Sequence, residues 1–182
     1  GQIQLMKGEF QNAENSFRQS LKLLPNNTII HLNLGETLYK QNKLEDANEA
    51  YSKVITRQPT NIEAHQKLGM IAQRSKHWDH AIKHLEISNS LDPNNPLTHH
   101  YLGLTYHGKG NLAQAITAYQ MSIRFKPDLV TVYSDLGDAY TEIGKAEIGH
   151  MFYKKFVNLA KYHQDLKGSV EKIRNKILEL EY

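Results

Sequence analysis

The sequence predicts an all-α fold of stacked helical hairpins, each 34 residues long. The first indication is an internal repeat, since four prolines and five glycines recur at intervals of 34 residues. These are Pro25, Pro59, Pro93 and Pro127, and Gly1, Gly35, Gly69, Gly103 and Gly137. The second is that apolar residues between these markers follow the spacing of two amphipathic helices rather than the alternation of strands.

Two further columns of residues keep the same interval. A small residue in the second half of each repeat is followed, four residues later, by an aromatic ring or Leu. The small residues are Ala13, Ala47, Ala81 and Ala115, and the large ones are Phe17, Tyr51, Leu85, Tyr119 and Tyr153. Four columns with one period exclude a chance repeat.

The fourth repeat shows how one unit is expected to fold. Apolar spacing predicts helices over 96–109 and 112–125. Asn95 and Asp128 stand where side-chain oxygens are expected to cap the helix that follows. Pro96 suits a first helical turn, where its missing N–H costs nothing.

Gly103 lies among apolar residues inside the first of these helices. Glycine there costs about 1 kcal/mol relative to alanine. We therefore expect the second helix to cross at Gly103, with Ala115 as its small counterpart, so closely that no side chain fits.

Segments 33–59 and 101–127 resemble the tetratricopeptide repeat (TPR) family. The family motif is an aromatic residue or Leu, then Leu-Gly, Tyr, Ala, an aromatic residue, Ala and Pro. Both segments carry its Leu-Gly, Tyr, first Ala, second aromatic residue and Pro in that order. The resemblance implies a right-handed α-solenoid, or superhelix, over residues 1–163. Its units are a partial repeat and four complete ones: 1–27, 28–61, 62–95, 96–129 and 130–163.

The two ends depart from the pattern. In the fifth repeat Gly149 replaces the small Ala and Lys161 replaces the proline, so its second helix is expected to run longer. Residues 164–182 predict a C-terminal capping helix with one apolar stripe, and a dimerising coiled-coil seam is the alternative. The stripe is Leu166, Val170, Ile173, Ile177 and Leu180. Because the sequence starts inside a repeat, we expect either further repeats upstream or self-association through that face.

Composition argues against several classes of protein. The formal charge of +3 is small and dispersed, which argues against nucleic-acid binding. No apolar run reaches the ~18 to 20 residues of a membrane-spanning helix, so membrane insertion is not expected. The absence of cysteine excludes disulfides and thiolate chemistry. It fits a cytosol and a periplasm equally well, so the location stays unknown, with a cytoplasmic one favoured and a periplasmic one as the alternative.

No catalytic constellation, phosphate-binding loop or cofactor signature occurs, so the segment is predicted not to be an enzyme and to need no cofactor. His80 and His84 are spaced to share a metal ion, but no further ligand is evident, and with His77 they predict a solvated face and no metal site. His31, His65 and His99 form a column that predicts packing rings, with a pH-sensing role as the alternative.

The TPR resemblance implies that the first helices of the repeats line a concave groove for a partner protein or peptide. The predicted groove residues are Ile29, Leu32, Glu36, Tyr39, Lys40, Gln66, Met70, Gln73, Arg74, Leu97, His100, Leu104, His107, Asp138 and Glu142. Their apolar members predict a partly apolar ligand. Lys40, Lys67 and Arg74 make the middle basic, and Asp135, Asp138 and Glu142 make the last complete repeat acidic, so the ligand's basic end is expected there.

The predicted function is a protein-binding scaffold or adaptor. One alternative is a regulatory or substrate-docking segment of a larger enzyme. Another is a self-assembling oligomeric scaffold, joined through the N-terminal repeat face or the C-terminal helix. Leu32 and Glu36 stand where TPR proteins that clamp a C-terminal carboxylate have Lys and Asn, so that binding mode is not expected.

Overall fold

The computed structural model describes residues 1–179, and this part of the chain is helical without any strand. The helices are α1 (Gln2–Met6), α2 (Phe10–Leu23), α3 (Thr28–Lys40), α4 (Leu44–Arg57), α5 (Ile62–Arg74), α6 (Trp78–Leu91), α7 (Pro96–Gly108), α8 (Leu112–Phe125), α9 (Thr131–Glu142), α10 (Ala146–Ala160) and α11 (Lys167–Glu179), with a 3₁₀ turn at Gln164–Leu166. The all-α prediction is confirmed. Leu180, the last residue of the predicted C-terminal stripe, lies outside the described residues.

The chain divides into two compact units. Unit 1 comprises residues 1–92 and contains α1–α6, and unit 2 comprises residues 93–182 and contains α7–α11. In unit 1, α3 pairs with α4 and α5 with α6, and α5 also packs on α4. In unit 2, α7 pairs with α8 and α9 with α10, and α9 also packs on α8. Within each unit, hairpins therefore stack on their neighbours as the repeat predicts.

Asparagine caps begin three of the first helices. Each Asn side chain accepts a hydrogen bond from a backbone N–H three residues later: Asn27 from Ile30 (3.1 Å), Asn61 from Ala64 (2.9 Å) and Asn95 from Thr98 (3.2 Å). The prediction that Asp128 caps α9 is wrong. Leu129 occupies the repeat position of the asparagines, and α9 starts after Val130 without a side-chain cap.

The repeat glycines lie against the large residue sixteen positions later in the second helix. A Cβ atom placed on Gly103 would lie 2.4 Å from carbons of the Tyr119 ring. A Cβ atom on Gly35 would lie 2.8 Å from the Tyr51 ring, one on Gly69 would lie 2.6 Å from Leu85, and one on Gly137 would lie 2.2 Å from the Tyr153 ring. The predicted close crossing is confirmed, and what fills the space at Gly103 is the Tyr119 ring, while the buried Ala115 lies one turn earlier.

Gly149 explains the irregular fifth repeat. A Cβ atom there would lie 2.3 Å from Thr141 Oγ1 and 2.8 Å from the carbonyl oxygen of Gly137. Glycine thus lets α10 approach the backbone of α9 directly. As expected without the proline, α10 is the longer helix, with 15 residues against 14 in α4, α6 and α8.

The histidine column ties each loop to the helix that follows it. The Nε2 atoms of His31, His65 and His99 lie 2.8–3.0 Å from the carbonyl oxygens of Pro25, Pro59 and Pro93. In the last complete repeat the hydroxyl of Tyr133 donates the equivalent bond to Pro127, at 2.8 Å. These rings are buried, as the packing prediction requires, and the bonds explain why a polar ring is used.

A buried carboxylate joins the first two repeats in unit 1. Glu14 on α2 is 6% exposed and accepts hydrogen bonds from Lys43 (2.7 Å), Arg18 (2.9 Å) and Gln41 (2.9 Å). Burial alone would raise the pKa of this carboxyl, but the bonds from Lys43, Arg18 and Gln41 lower it to about 2. Glu14 is therefore ionised and paired under ordinary conditions.

The apolar stripe of α11 packs inside unit 2. Ile173 is buried, and Leu166, Val170 and Ile177 are partly buried against the same cluster as Phe156 of α10. The described part of the stripe is thus covered by the protein's own helices. This packing agrees with a capping role and leaves little of the stripe for a dimer seam.

We expect Gly103→Ala to lower the free energy of unfolding by about 1–2 kcal/mol. The gain in helix propensity is about 1 kcal/mol. Overpacking typically costs about 1–3 kcal/mol, and the upper part of that range applies here because the added Cβ would lie 2.4 Å from carbons of the buried Tyr119 ring. Gly108→Ala is the matched control, because Gly108 ends the same helix and is exposed. Urea unfolding followed by circular dichroism measures both, and a Gly103→Ala protein as stable as wild type would contradict the contact.

Candidate functional site

The predicted groove residues lie on the first helices of both units. We call the side chains of α3 and α5 among them the unit 1 face, and those of α7 and α9 the unit 2 face. On the unit 1 face Ile29 is 62% exposed, Lys40 and Arg74 are exposed, and the others are half-buried. On the unit 2 face Leu97 is 42% exposed, whereas His100 is only 9% exposed and offers little surface to a partner.

Glu36 is the centre of a polar cluster on the unit 1 face. Its carboxylate pairs with Lys67 of the next repeat and accepts a hydrogen bond from the Tyr51 hydroxyl at 3.3 Å. Lys40 lies 3.8 Å from its other oxygen, beyond hydrogen-bonding distance. Burial would raise the pKa of the Glu36 carboxyl, but the bond from Lys67 and its charge lower it, so the carboxylate is ionised. The pair joins α3 to α5.

Tyr39 carries two cations over its ring. The guanidinium carbon of Arg74 lies 5.5 Å from the ring centroid, and Lys67 Nζ lies 5.9 Å from it. Both distances are typical of cation–π contacts. Among residues 1–179, no carboxylate lies within ion-pairing distance of Arg74, and its guanidinium contacts the Tyr39 ring instead.

On the unit 2 face two histidines pair with carboxylates of the next repeat. His107 Nε2–H donates to Glu142 at 3.0 Å, so its Nδ1 accepts from the Tyr119 hydroxyl at 3.3 Å. His100 Nε2–H donates to Asp135 at 2.6 Å. These bonds join α7 to α9.

Asp138 has partners from two other helices of unit 2. Its Oδ1 accepts hydrogen bonds from the Tyr153 hydroxyl and from Lys176 of α11, each at 2.5 Å. Thr141 and Glu142 help to line a cavity of about 270 Å³ beside them. A ligand's basic group was expected at this acidic site. The protein's own Lys176 lies there, and a ligand's basic group over the last complete repeat stays a prediction.

Sequence reasoning missed the tyrosine hydroxyls and Lys176. The rings of Tyr51, Tyr119 and Tyr153 pack beneath the glycines, and their hydroxyls reach Glu36, His107 and Asp138. Burial and the neighbouring carboxylates raise the pKa of each of these three hydroxyls, so they remain protonated donors. A partial signal was present: Glu36 and Asp138 directly follow the glycines that pack on Tyr51 and Tyr153. Leu104 takes that place beside Tyr119, and the partner His107 lies three residues later.

The histidines of α6 do not form one solvated face. His77 and His80 are exposed, but His84 is half-buried and its Nδ1 lies 3.1 Å from His65 Nδ1. Because His65 Nε2–H donates to Pro59, its Nδ1 accepts, and His84 Nδ1–H is the donor. Burial lowers the pKa of His84 to about 4, helped by His65, Lys83 and His80. The expectation of a solvated face is therefore wrong for His84.

A cavity of about 390 Å³ opens beside His84, lined also by His77, His80 and Glu45 of α4. Within residues 1–179, no group of three or more His, Asp or Glu side chains is arranged to hold a metal ion. No helix in the described part of the chain is both long and apolar enough to cross a bilayer.

Two family models match the sequence, a tetratricopeptide repeat model over residues 4–71 and a TPR repeat model over residues 105–144. Together they cover more than half of the chain. The chain belongs to the tetratricopeptide repeat family.

Among curated proteins, the chain is 22% identical over 180 residues to human "Protein O-mannosyl-transferase TMTC1", covering 95% of this chain and 20% of that protein. The chain spans between 12% and 20% of the length of the curated relatives that it matches. It thus corresponds to a small segment of those proteins.

Among solved structures, the TPR chain is similar to MamA, with 28% identity, a TM-score of 0.80, and coverage of 88% of this chain and 94% of that one. A TPR protein of Thermus thermophilus has a TM-score of 0.78 and 19% identity, with 94% of each chain covered. These neighbours confirm the predicted α-solenoid class. The TPR fold supports a protein-interaction scaffold, in general terms, rather than a catalytic domain.

We expect His84 to make the protein less stable in mild acid. Because its folded-state pKa of about 4 lies below the ordinary 6.5, the unfolded chain binds more protons between these values, and the free energy of unfolding falls as the pH falls. His65 of α5, His80 and Lys83 of α6, and Glu45 of α4 face this group. Replacing His84 by Ala, the residue at equivalent positions 50 and 118, removes this contribution.

Urea unfolding at pH 7 and pH 5 measures the effect. Between these pH values, the free energy of unfolding of wild type should fall by on the order of 1 kcal/mol more than that of His84→Ala. His80→Ala, at an exposed position one turn earlier, should follow wild type. Equal losses in wild type and His84→Ala would rule out this role for His84.

Proposed function

We propose that this TPR segment binds a short stretch of a partner protein on the first-helix faces of its repeats. The observation that carries the proposal is that the two sides of α3, α5 and α7 have different roles. One side is committed to the glycine–ring contact, while the other keeps apolar side chains half-exposed among fixed polar groups. Leu32 and Met70 on unit 1, and Leu104 on unit 2, are such side chains.

The polar network supports the proposal because it fixes the helices that carry these residues. In unit 1 the Glu36–Lys67 pair joins α3 to α5, and in unit 2 the His107–Glu142 pair joins α7 to α9. A surface whose side chains are already held in place loses less conformational entropy on binding. The remaining apolar area supplies the gain, at about 25 cal/mol per Å² buried.

A second candidate is a docking segment within a larger enzyme. The human relative is a transferase by name, and the match spans 20% of its length. On this proposal the repeats hold a protein substrate or regulator, and the chemistry belongs to another part of the polypeptide. The binding surface is the same in both cases.

Self-assembly is a third candidate, supported by exposed apolar residues in the first repeat. Ile3 is 70% exposed, Met6 87% and Leu23 84%. The C-terminal helix offers less, because the described part of its stripe is packed against α10. Light scattering over a concentration series separates this candidate from peptide binding.

Peptide selection tests the main proposal. A phage library of random dodecapeptides is panned against the chain, and the best binder is synthesised with a fluorescent label for anisotropy. We expect Met70→Glu or Leu104→Glu to weaken its binding at least tenfold, because each places a charge on a first-helix face. Met121→Glu is the control, since Met121 is also half-buried but lies on α8, a second helix.

Circular dichroism must show that all three variants fold. Binding that survives both first-helix changes, or that is lost equally in Met121→Glu, would overturn the proposed surface.

A further inference from the structure

We infer that the unit 1 face recognises an acidic segment of the partner, whose side-chain carboxylates bind Lys40 and Arg74 beside the Tyr39 ring. The inference rests on the proposed function and names the chemistry of the ligand. It concerns unit 1 alone.

The charges on the unit 1 face do not balance. Three cations, Lys40, Lys67 and Arg74, lie on α3 and α5 near Glu36. Glu63, the other carboxylate of these two helices, lies in the first turn of α5, whereas Arg74 lies in its last turn. Lys67 and the Tyr51 hydroxyl bind the Glu36 carboxylate directly, whereas Lys40 stays 3.8 Å away. Lys40 shares Glu36 with Lys67 through a longer ion pair, and Arg74 pairs with no carboxylate among the described residues, so this end of the face keeps a net positive charge. An anionic ligand group would compensate it.

The position of Arg74 suits such an anionic group. Its guanidinium carbon lies 5.5 Å from the centroid of the Tyr39 ring. The N–H donors lie in the plane of the guanidinium, along an edge that pairs with no carboxylate among the described residues. That edge matches the two oxygens of a carboxylate, and restraint by the ring reduces the entropy lost when they bind.

The basic pair is not a general feature of the repeat. Lys40 and Arg74 occupy the same position in successive repeats, and the next two repeats have Gly108 and Glu142 there. Both cations also lie in the last turn of their helices, where the helix dipole favours them. The dipole acts on each helix separately, so it does not account for the contact between Arg74 of α5 and the Tyr39 ring of α3.

Apolar residues complete the description of the ligand. Leu32 and Met70 are half-buried on the same face, and Ile29 is 62% exposed on α3. From Ile29 to Lys40 a helix rises about 16 Å, which a segment of about five extended residues spans. The expected ligand is thus a short segment with apolar side chains and one or two Asp or Glu residues beside them.

The peptides selected on the chain provide the first test. We expect the binders to be enriched in Asp and Glu beside Leu, Met or Phe, and their affinity to fall at least tenfold when NaCl is raised to about 0.5 M. Neutral or basic binders would overturn the inference, as would heparin displacing the peptide at equal charge concentration, because that marks a general polyanion surface.

Charge reversal provides the second test, on the best acidic peptide measured by anisotropy. The double variant Lys40→Glu/Arg74→Glu should bind at least a hundredfold more weakly than wild type. The control is Lys53→Glu/Arg57→Glu on α4, a second helix. Lys53 is 55% exposed and pairs with a glutamate four residues earlier, as Lys40 does at 53% exposure, and Arg57 ends α4 as Arg74 ends α5.

The outcomes separate this inference from the proposed function. If Met70→Glu abolishes binding while the Lys40 and Arg74 reversal does not, unit 1 binds peptide but not through its basic pair. If both double variants weaken binding equally, only net charge matters and the inference fails. If neither Met70→Glu nor the reversal has any effect, both the inference and binding on unit 1 fail.

Discussion

The contact between a glycine in the first helix and a large side chain sixteen residues later is the constraint on which each hairpin depends. It commits one side of the first helix to the interior, because the ring or Leu takes the place that a Cβ atom would need. The opposite side is consequently turned outward in each complete repeat. Where the large residue is Tyr, its hydroxyl also reaches the outward side and bonds to Glu36, His107 or Asp138. One contact therefore sets both the packing and the polar pattern of the candidate binding faces.

Most of the fold could be predicted from sequence because the 34-residue interval repeats the same pattern of two helices and their crossing in every unit. Helices expected over 96–109 and 112–125 are found at Pro96–Gly108 and Leu112–Phe125. Asp128 was mistaken for a cap because it is a good capping residue one position from the correct one, and residue type alone does not resolve a shift of one. Gly149 was recognised as irregular, but its close approach to the α9 backbone required coordinates.

The binding faces were predicted less well. The sequence shows which residues are charged, but not which of those charges are paired and which stay free to bind a ligand. The pairs that decide this join residues 31 to 38 positions apart: Glu36 with Lys67, His107 with Glu142 and Asp138 with Lys176. The first two nearly follow the repeat interval and were open to inference. Lys176 was not, because α11 departs from the repeat and only packing against α10 places it. These pairs leave Lys40 and Arg74 as the cations of the unit 1 face with the least compensation.

The glycine–ring contact is measured most directly by nuclear Overhauser effects between glycine Hα and aromatic ring protons in the isotopically labelled protein. The account predicts strong effects, with ring-current shifts of the Hα resonances, for Gly35 with Tyr51, Gly103 with Tyr119 and Gly137 with Tyr153. Gly110 and Gly144, which have no such neighbour within 4 Å, should show neither. Absence of these effects at the three repeat glycines, or contacts of those rings with other residues instead, would contradict the packing from which both faces are derived.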